Sequence, residues 1–564
     1  MNILPQSALF VILQWWSSIL DLVSAVWMEQ HLARYQKHWL VKAHDLLDFA
    51  PLEQACADFH VNDGRGAPVI HSVPRLVRAI FLKYLHALSL RQTEEWLDNH
   101  LLFKWFAGYG LFDRPPDHST LDRFELWLFR TNPTLFFDEI VRLIDRLCPE
   151  DRTRLQIIDT FATHARAART HLIELIRDIC RNLLTTLEKT APLLHADLSA
   201  QLDLIALFGP EDEIITPALS RPERTTRLQL VARQAFRLHR LLVAALDQPP
   251  LLPPDQQAPL RLGLAHLAKI LADETTADPL DPDTPADIAV KELPKNRKGS
   301  YRIAAAADPE ATYRIHDTDA EAILGYNTTV VTSAFVREIH ADTGAQPDNL
   351  GLPIALKNQF ERHGFFPDGM IGDKAYGHGK TRHTVNILTH GQTQIFARIP
   401  AYDQRSDRFG PDQFRLTDDG LSLTCPNEVT TSRRYPTTTG GGVDFRFPAK
   451  LCRACPLWNQ CRGPDSGPRS HRTIFISFYR DELEAARLFN QTDTFKAGIK
   501  QRMGIERIIF NLTNLHGARQ AHSYGQARTD YQLNMQAAAF NLRQLVREMD
   551  KKKAAGGGVC PAAA

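Results

Sequence analysis

Residues 155–161 read LQIIDTF, a short apolar run with an acid near its end, which is the pattern of a buried strand presenting a polar group where it emerges. Such a strand needs partners in a sheet, and the next β-rich run, GYNTTVVTSAFVREIHADT, begins only at Gly325. The residues between are helical in pattern or rich in Pro, Asp and Ala. A helical insertion therefore separates two sheet-forming regions, and any sheet holding both must close across it.

The 564 residues exceed what one hydrophobic core usually carries and suggest roughly three to four domains of about 150 residues. This excludes a small binding module. An apolar fraction of 44% with 29 Phe and 8 Trp excludes global disorder. Lys and Arg total 66 against 65 Asp and Glu, a formal charge of +1, so a polyanion partner would have to be met by local charge. The 8 cysteines are few for this length, and four of them share one segment, which reads as a reduced, cytoplasmic chain. The stretch Leu9 to Met28 is apolar but carries Gln14 and Asp21 and has no basic flank or cleavage signal. It is read as a docking helix or a misplaced start rather than a membrane span.

Residues 70–130 are helical. Val73, Leu76, Ile80, Tyr84 and Leu88 form a core-facing stripe, Gly108 and Gly110 stop a helix, and Asp117 or Ser119 caps the next. Residues 168–246 are helical again, whereas 248–294 read as linker around one short helix. The β-rich run from Gly325 suggests a hairpin, followed by a helix near 352–363, a short strand in GMIGD and an apolar run in TQIFARIP. Residues 405–475 are Gly-, Pro- and Arg-rich, 480–548 are helical, and KKKAAGGGVCPAAA is expected to be disordered. No internal repeat is present.

Three acids stand where a phosphoryl-transfer enzyme would use them. Asp159 ends LQIIDTF, Asp373 ends GMIGD just before KAYG, and Glu506 lies in KQRMGIERIIF. Cleavage of a phosphodiester by two divalent ions needs carboxylates converging from separate elements. For any one of these acids the alternative is a turn, a cap or, for Arg502 and Glu506, an i,i+4 helix pair. Asp317, Asp319 and Asp348 read as turn or cap residues.

In order, DTFATHARA, GYNTTVV with REIHADTGAQPDN, IGDKAYG, and RMGIERIIF with AAFNLRQLV resemble a bacterial insertion-sequence transposase with a DDE catalytic core. The likeness is to the subgroup numbered eleven-eighty-two, related to the IS-four-like transposases, and it covers roughly residues 68–130 and 155–548 outside the inserted helices. The resemblance implies an α/β RNase H-like core, a mixed central sheet flanked by helices, with a helical insertion, an all-α N-terminal domain and a small Cys-rich module. It makes Asp159, Asp373 and Glu506 the catalytic, magnesium- or manganese-binding acids. In related transposases the last acid lies in a motif of Tyr, two residues, Arg, three residues, Glu, six residues, Lys. Arg502 and Glu506 match that motif, while Ile499 and Thr513 depart from it.

Cys452 and Cys455, with Cys461 and the upstream Cys425, have the close-pair pattern of a zinc site, in which one short loop supplies two tetrahedral ligands. His471 is an alternative ligand, and a redox Cys-x-x-Cys is the competing reading, with no βαβ pattern beside it. Between Lys496 and Arg528, six basic residues (Lys496, Lys500, Arg502, Arg507, Arg519, Arg528) face the single acid Glu506, a candidate phosphate-holding surface. Lys295, Arg297 and Lys298 form a smaller patch, and no single helix-turn-helix is evident.

The expected organisation is a helical extension (1–67), a helical DNA-binding domain (68–150), a core split into 151–167 and 297–404, an insertion and linker (168–296), a Cys-rich module (405–475), a C-terminal part of the core (476–548) and a tail (549–564). The reading is a DDE transposase that cleaves at its element's ends and transfers the strand, acting on double-stranded DNA as a dimer or larger assembly, with no membrane partner. A metal-dependent nuclease without strand transfer, or an inactive DNA-binding derivative, is the alternative.

Overall fold

The computed structural model describes residues 22–60, 69–152, 154–210, 219–248, 252–281, 289–315, 322–399, 408–437, 440–462, 467 and 471–554. Asp317, Asp319, Cys560 and most of the apolar N-terminal stretch lie outside these residues. The end of that stretch is described: residues 22–33 are helical, Met28 is buried, and Ser24 Oγ accepts the N–H of Leu111 at 2.6 Å, so the segment docks on the neighbouring helices. Among the described residues no helix is long and apolar enough to cross a membrane.

The run at 155–161 becomes strand β1 (Gln156–His164). Its apolar residues are covered on both faces, as expected of a strand without polar alternation. The partners are β2 (Thr312–Arg314), β3 (Ile323–Thr332), β4 (Val336–Thr343), β5 (Gly369–Ile371) and β6 (Gln394–Phe396). They form one mixed sheet in the order β2-β3-β1-β5-β6, with β4 also on β3. β3 runs antiparallel to β1, Ile157 facing Thr332 and His164 facing Gly325, while β5 and β6 run parallel to β1. The expected hairpin is β3–β4, and the sheet does close across the insertion.

One sheet face carries Ile157, Phe161, Val330 and Ile339 into a core shared with the N-terminal helices and the last helix, Gln526–Ala554. The other carries Ile158 and Val331 against helices Asp348–His363 and Gly379–Leu388. The edge of β4 is held by Asn541, buried on the last helix, whose side chain accepts from Val336 N–H and donates to Val336 C=O, each at 2.8 Å. This satisfies backbone groups that an edge strand would leave open.

The insertion has its own core, built from helices Leu172–Thr190, Pro192–Ala200, Leu204–Phe208, Arg221–Leu246 and Pro254–Glu274. The last of these corrects the expectation of a linker with one short helix, since it is 21 residues long. Pro254 sits where a helix tolerates proline, and Leu260, Leu264, Leu267 and Leu271 supply a buried stripe that outweighs the Pro259 break. Residues 415–477 also carry more structure than expected, two three-stranded sheets: β7 (Arg415–Leu416), β8 (Leu423–Thr424) and β9 (Thr430–Thr431), then β10 (Arg434–Pro436), β11 (Gly442–Arg446) and β12 (Thr473–Ser477). At the C-terminus, residues 549–554 continue the last helix instead of beginning a disordered tail.

Between β4 and the last helix lies a buried polar cluster of Glu338, His340, Asp342, Arg362 and Asp530, with Arg362 ion-paired to Glu338. Asp530 accepts the N–H of Ala341. Burial pushes its carboxyl up to about 7, and the charge of Asp342 adds to this against His340 and Arg362. A carboxyl with a raised folded-state pKa favours the folded state below the unfolded value near 3.9 and loses that contribution as pH climbs through about 7. Asp530→Asn is therefore expected to flatten the stability profile between pH 4 and 7, removing a slope of up to about 1.4 kcal/mol per pH unit. Denaturation of wild type and variant across that range measures it, and parallel profiles would refute the assignment.

Candidate active site

Asp159 and Asp373 each lie two residues beyond the Ile157–Ile371 pair of the parallel strands β1 and β5. That register sets them level on neighbouring strands. Past β5, Gly372 allows the chain to turn tightly, since a Cβ there would meet the Tyr376 ring at 2.5 Å. Asp373 then caps the 3₁₀ turn Lys374–Gly377 by accepting Ala375 N–H at 2.8 Å.

Glu506 reaches the same region from the helix Gly504–Phe510. Ile505, fully buried, anchors this helix in the core that contains Ile157 and leaves Glu506 exposed. The preceding helix Asp493–Ile499 approaches the sheet edge through Gly498, where a Cβ would stand 2.6 Å from the Phe396 ring of β6. A π-helical turn, Asn511–Leu515, follows, a feature that recurs at functional sites.

A groove of about 580 Å³ is lined by Gly372, Asp373, Lys374, Arg398, Ile499, Lys500, Arg502, Met503 and Glu506. Arg502 joins it to Asp159, with Nη2 3.4 Å from Asp159 Oδ2. The Asp159 side chain is 24% exposed. Its carboxyl is raised above the usual range, first by burial and then by the charges of Asp373 and Asp348, against the Thr160 backbone N–H and Arg502. Negative charge is thus crowded in a partly dry place, an arrangement that favours a cation.

The basic run read as one surface is divided by the fold. Lys500 and Arg502 line the groove, and Lys496 lines an adjoining stretch with Arg398 and Lys500, though it also pairs with Asp493 at 3.0 Å. Arg507 is exposed on the Glu506 helix. Arg519 and Arg528 lie elsewhere: the Arg519 carbonyl holds His164 N–H at the far end of β1, and Arg528 stands over the Phe129 ring of the N-terminal helices. Lys374 and Arg398, which sequence reasoning passed over, face the acids instead. Both directly follow the sheet strands β5 and β6, and that position was the available signal.

The two departures from the related motif separate in space. Ile499 lines the groove, whereas Thr513 is buried with its hydroxyl donating to Ile509 C=O. Glu482, an alternative third acid, is paired with His383, and Glu484 with Arg487. Lys298 is drawn away from any loop patch by Glu274 and Glu292, leaving Lys295 and Arg297 exposed.

Cys425, Cys452, Cys455 and Cys461 line one cavity of about 30 Å³, room for a single water-sized occupant. Burial raises the Cys461 thiol, and the other three cysteines add to the shift against Arg472. Phe414, Phe447 and Trp458 share the lining, and the cysteines are spread over β8's loop and two short helices. Among the described residues no three His, Cys, Asp or Glu side chains stand where they could hold one metal ion. The zinc expectation therefore finds no support in these positions, and the three acids of the groove are likewise not drawn into one coordination sphere.

Two family models match the chain: one described as Transposase domain (DUF772), over residues 28–125, and one described as Transposase DDE domain, over residues 424–546. The second contains Glu506 and the cysteine cluster, while Asp159 and Asp373 lie outside it. No curated protein and no solved structure matches the chain. Together with a groove that brings acids and basic side chains to the ends of adjoining strands, the two matches support an insertion-sequence transposase of the DDE class.

Proposed function

We propose that the protein binds the ends of its element as double-stranded DNA, cleaves a strand there and joins the freed 3′-hydroxyl to target DNA. The observation that carries this reading is the level placement of Asp159 and Asp373 on parallel strands, with Glu506 facing them across a groove lined by Lys374, Arg398, Lys500 and Arg502. A mixed sheet flanked by helices on both faces supports the RNase H-like reading of the core.

The donors fit magnesium or manganese in kind, since all are hard carboxylate oxygens and Asp159 lies amid uncompensated negative charge. Ions bound there would polarise a phosphoryl oxygen and activate water or a 3′-hydroxyl. Arg502 holds Asp159 in the DNA-free chain and can exchange that carboxylate for a phosphate, which its planar fork suits. Lys374, Arg398 and Lys500 neutralise the backbone along the groove, so binding should weaken steeply with salt. Arg519 and Arg528, far along β1, would serve a separate stretch of DNA, and a dimer or larger assembly would pair two ends.

The test is an assay with a short element bearing the flanking DNA of this coding region, scored for both cleaved and joined products. Cleaved and joined products together support a transposase. Cleavage without joining would favour the nuclease alternative, and neither product with DNA still bound would favour an inactive derivative.

A further inference from the structure

Tyr376 is 1% exposed, and its hydroxyl has no hydrogen-bond partner. A buried phenol left unpaired costs about 1–3 kcal/mol and calls for an occupant that satisfies it. Its surroundings say which kind. Tyr376 follows Asp373 by three residues, in a turn that Gly372 and the Asp373 cap fold back under the strand ends. The carboxylates that act on it are Asp348, Asp159 and Asp373, and Arg314 is the opposing cation.

Asp348 arrives from a different direction. It begins the helix Asp348–His363, as a turn or cap residue would, and its Oδ1 accepts Asn327 Nδ2 at 2.8 Å. Arg314 bridges it to the strand of the site: Nη2 donates to Thr160 Oγ1 at 3.1 Å and stands 4.0 Å from Asp348 Oδ1. Asn327 and Arg314 thus hold Asp348 beside the residue that follows Asp159, and its charge acts on Asp159 itself.

We propose that Tyr376 and Asp348 are positioning residues of the metal site, with the Tyr376 hydroxyl donating through a bound water to the carboxylates that take the ions. Asp348, fixed by Asn327 and Arg314, accepts on the other side of that water and sets its orientation. Neither residue reacts. Together they turn the Asp159 and Asp373 carboxylates toward one point, which the DNA-free positions do not yet reach. Outer hydrogen-bond partners of this kind are worth 10–100-fold in metal affinity. The inference rests on the reading of Asp159 and Asp373 as metal ligands.

The test is binding of Mn2+ to the full-length, DNA-free protein by electron paramagnetic resonance, with wild type, Tyr376→Phe, Asp348→Asn and Asp159→Asn. Tyr376→Phe and Asp348→Asn are each expected to weaken Mn2+ binding about 10-fold or more, and raised metal should restore cleavage by both. Each swap is nearly isosteric, and circular dichroism checks the fold. If one variant does not fold, the other decides. Unchanged Mn2+ affinity in the folded variants, with Asp159→Asn still abolishing binding, overturns this proposal alone. If Asp159→Asn also binds Mn2+ as wild type does, the reading of the site fails with it.

Discussion

Asp159→Asn and Asp373→Asn should each lose about 10³-fold or more in strand cleavage, equivalent to about 4 kcal/mol of transition-state stabilisation, while leaving the fold intact. The two substitutions keep shape and volume but remove the charge that would hold a cation at the ends of β1 and β5. Stability should move the other way at Asp159. Its carboxyl is raised by burial and by Asp373 and Asp348, so the charged form is strained in the DNA-free chain. Replacing it with a neutral amide removes that repulsion at neutral pH, and the midpoint of thermal unfolding should hold or rise. Loss of activity with gain of stability marks a group kept for chemistry rather than for folding. An Asp159→Asn protein that cleaves normally would sink the catalytic assignment, and one that unfolds early would make Asp159 a structural residue. Paired measurements of cleavage and thermal unfolding decide.

Arg337→Met is expected to destabilise the protein by about 3–5 kcal/mol, lowering the unfolding midpoint by on the order of 10 °C for a core of 150–250 residues. Arg337 on β4 is fully buried, with Nη2 2.6 Å from Asp145 Oδ1 and Nη1 3.6 Å from Asp151 Oδ2. Asp145 ends the N-terminal helical region on the helix Leu135–Leu147, and Asp151 leads into β1. Asp151 also takes Ser333 Oγ and Ala334 N–H from the β3–β4 turn. The guanidinium therefore fastens the helical region to the hairpin, and methionine would leave Asp151, 1% exposed, with its charge poorly compensated. Arg154→Met is the control. Arg154 also stands 3.6 Å from Asp151 but is 53% exposed, where an ion pair contributes about 0–1 kcal/mol. Equal effects from the two variants would show that the buried position of Arg337 is not what matters.

Local pattern was enough to find β1, the β3–β4 hairpin, β5, β6 and the two aspartates, because each is a short apolar run bounded by turn residues, and such runs carry their own signal. It also located the helical N-terminal region and the helical insertion. It failed where long-range packing overrides composition. The helix Pro254–Glu274 forms in a Pro-rich stretch because the insertion's core buries its leucines, and the small sheets of residues 415–477 gain their order from each other.

The chain by itself therefore determined which acids and cations are present and which strands carry them. Only the tertiary structure decided which of them meet. The parallel register of β1 and β5 set Asp159 level with Asp373 across more than two hundred residues of sequence. The approach of the Gly498 helix to Phe396 brought Lys500, Arg502 and Glu506 to those strand ends, and the length of β1 carried Arg519 and Arg528 away from them. The same folding placed Asp348 and the unpaired Tyr376 hydroxyl beside the two aspartates. The reason is that charge acts over distance in space, so a side chain's role depends on neighbours that the linear order does not specify.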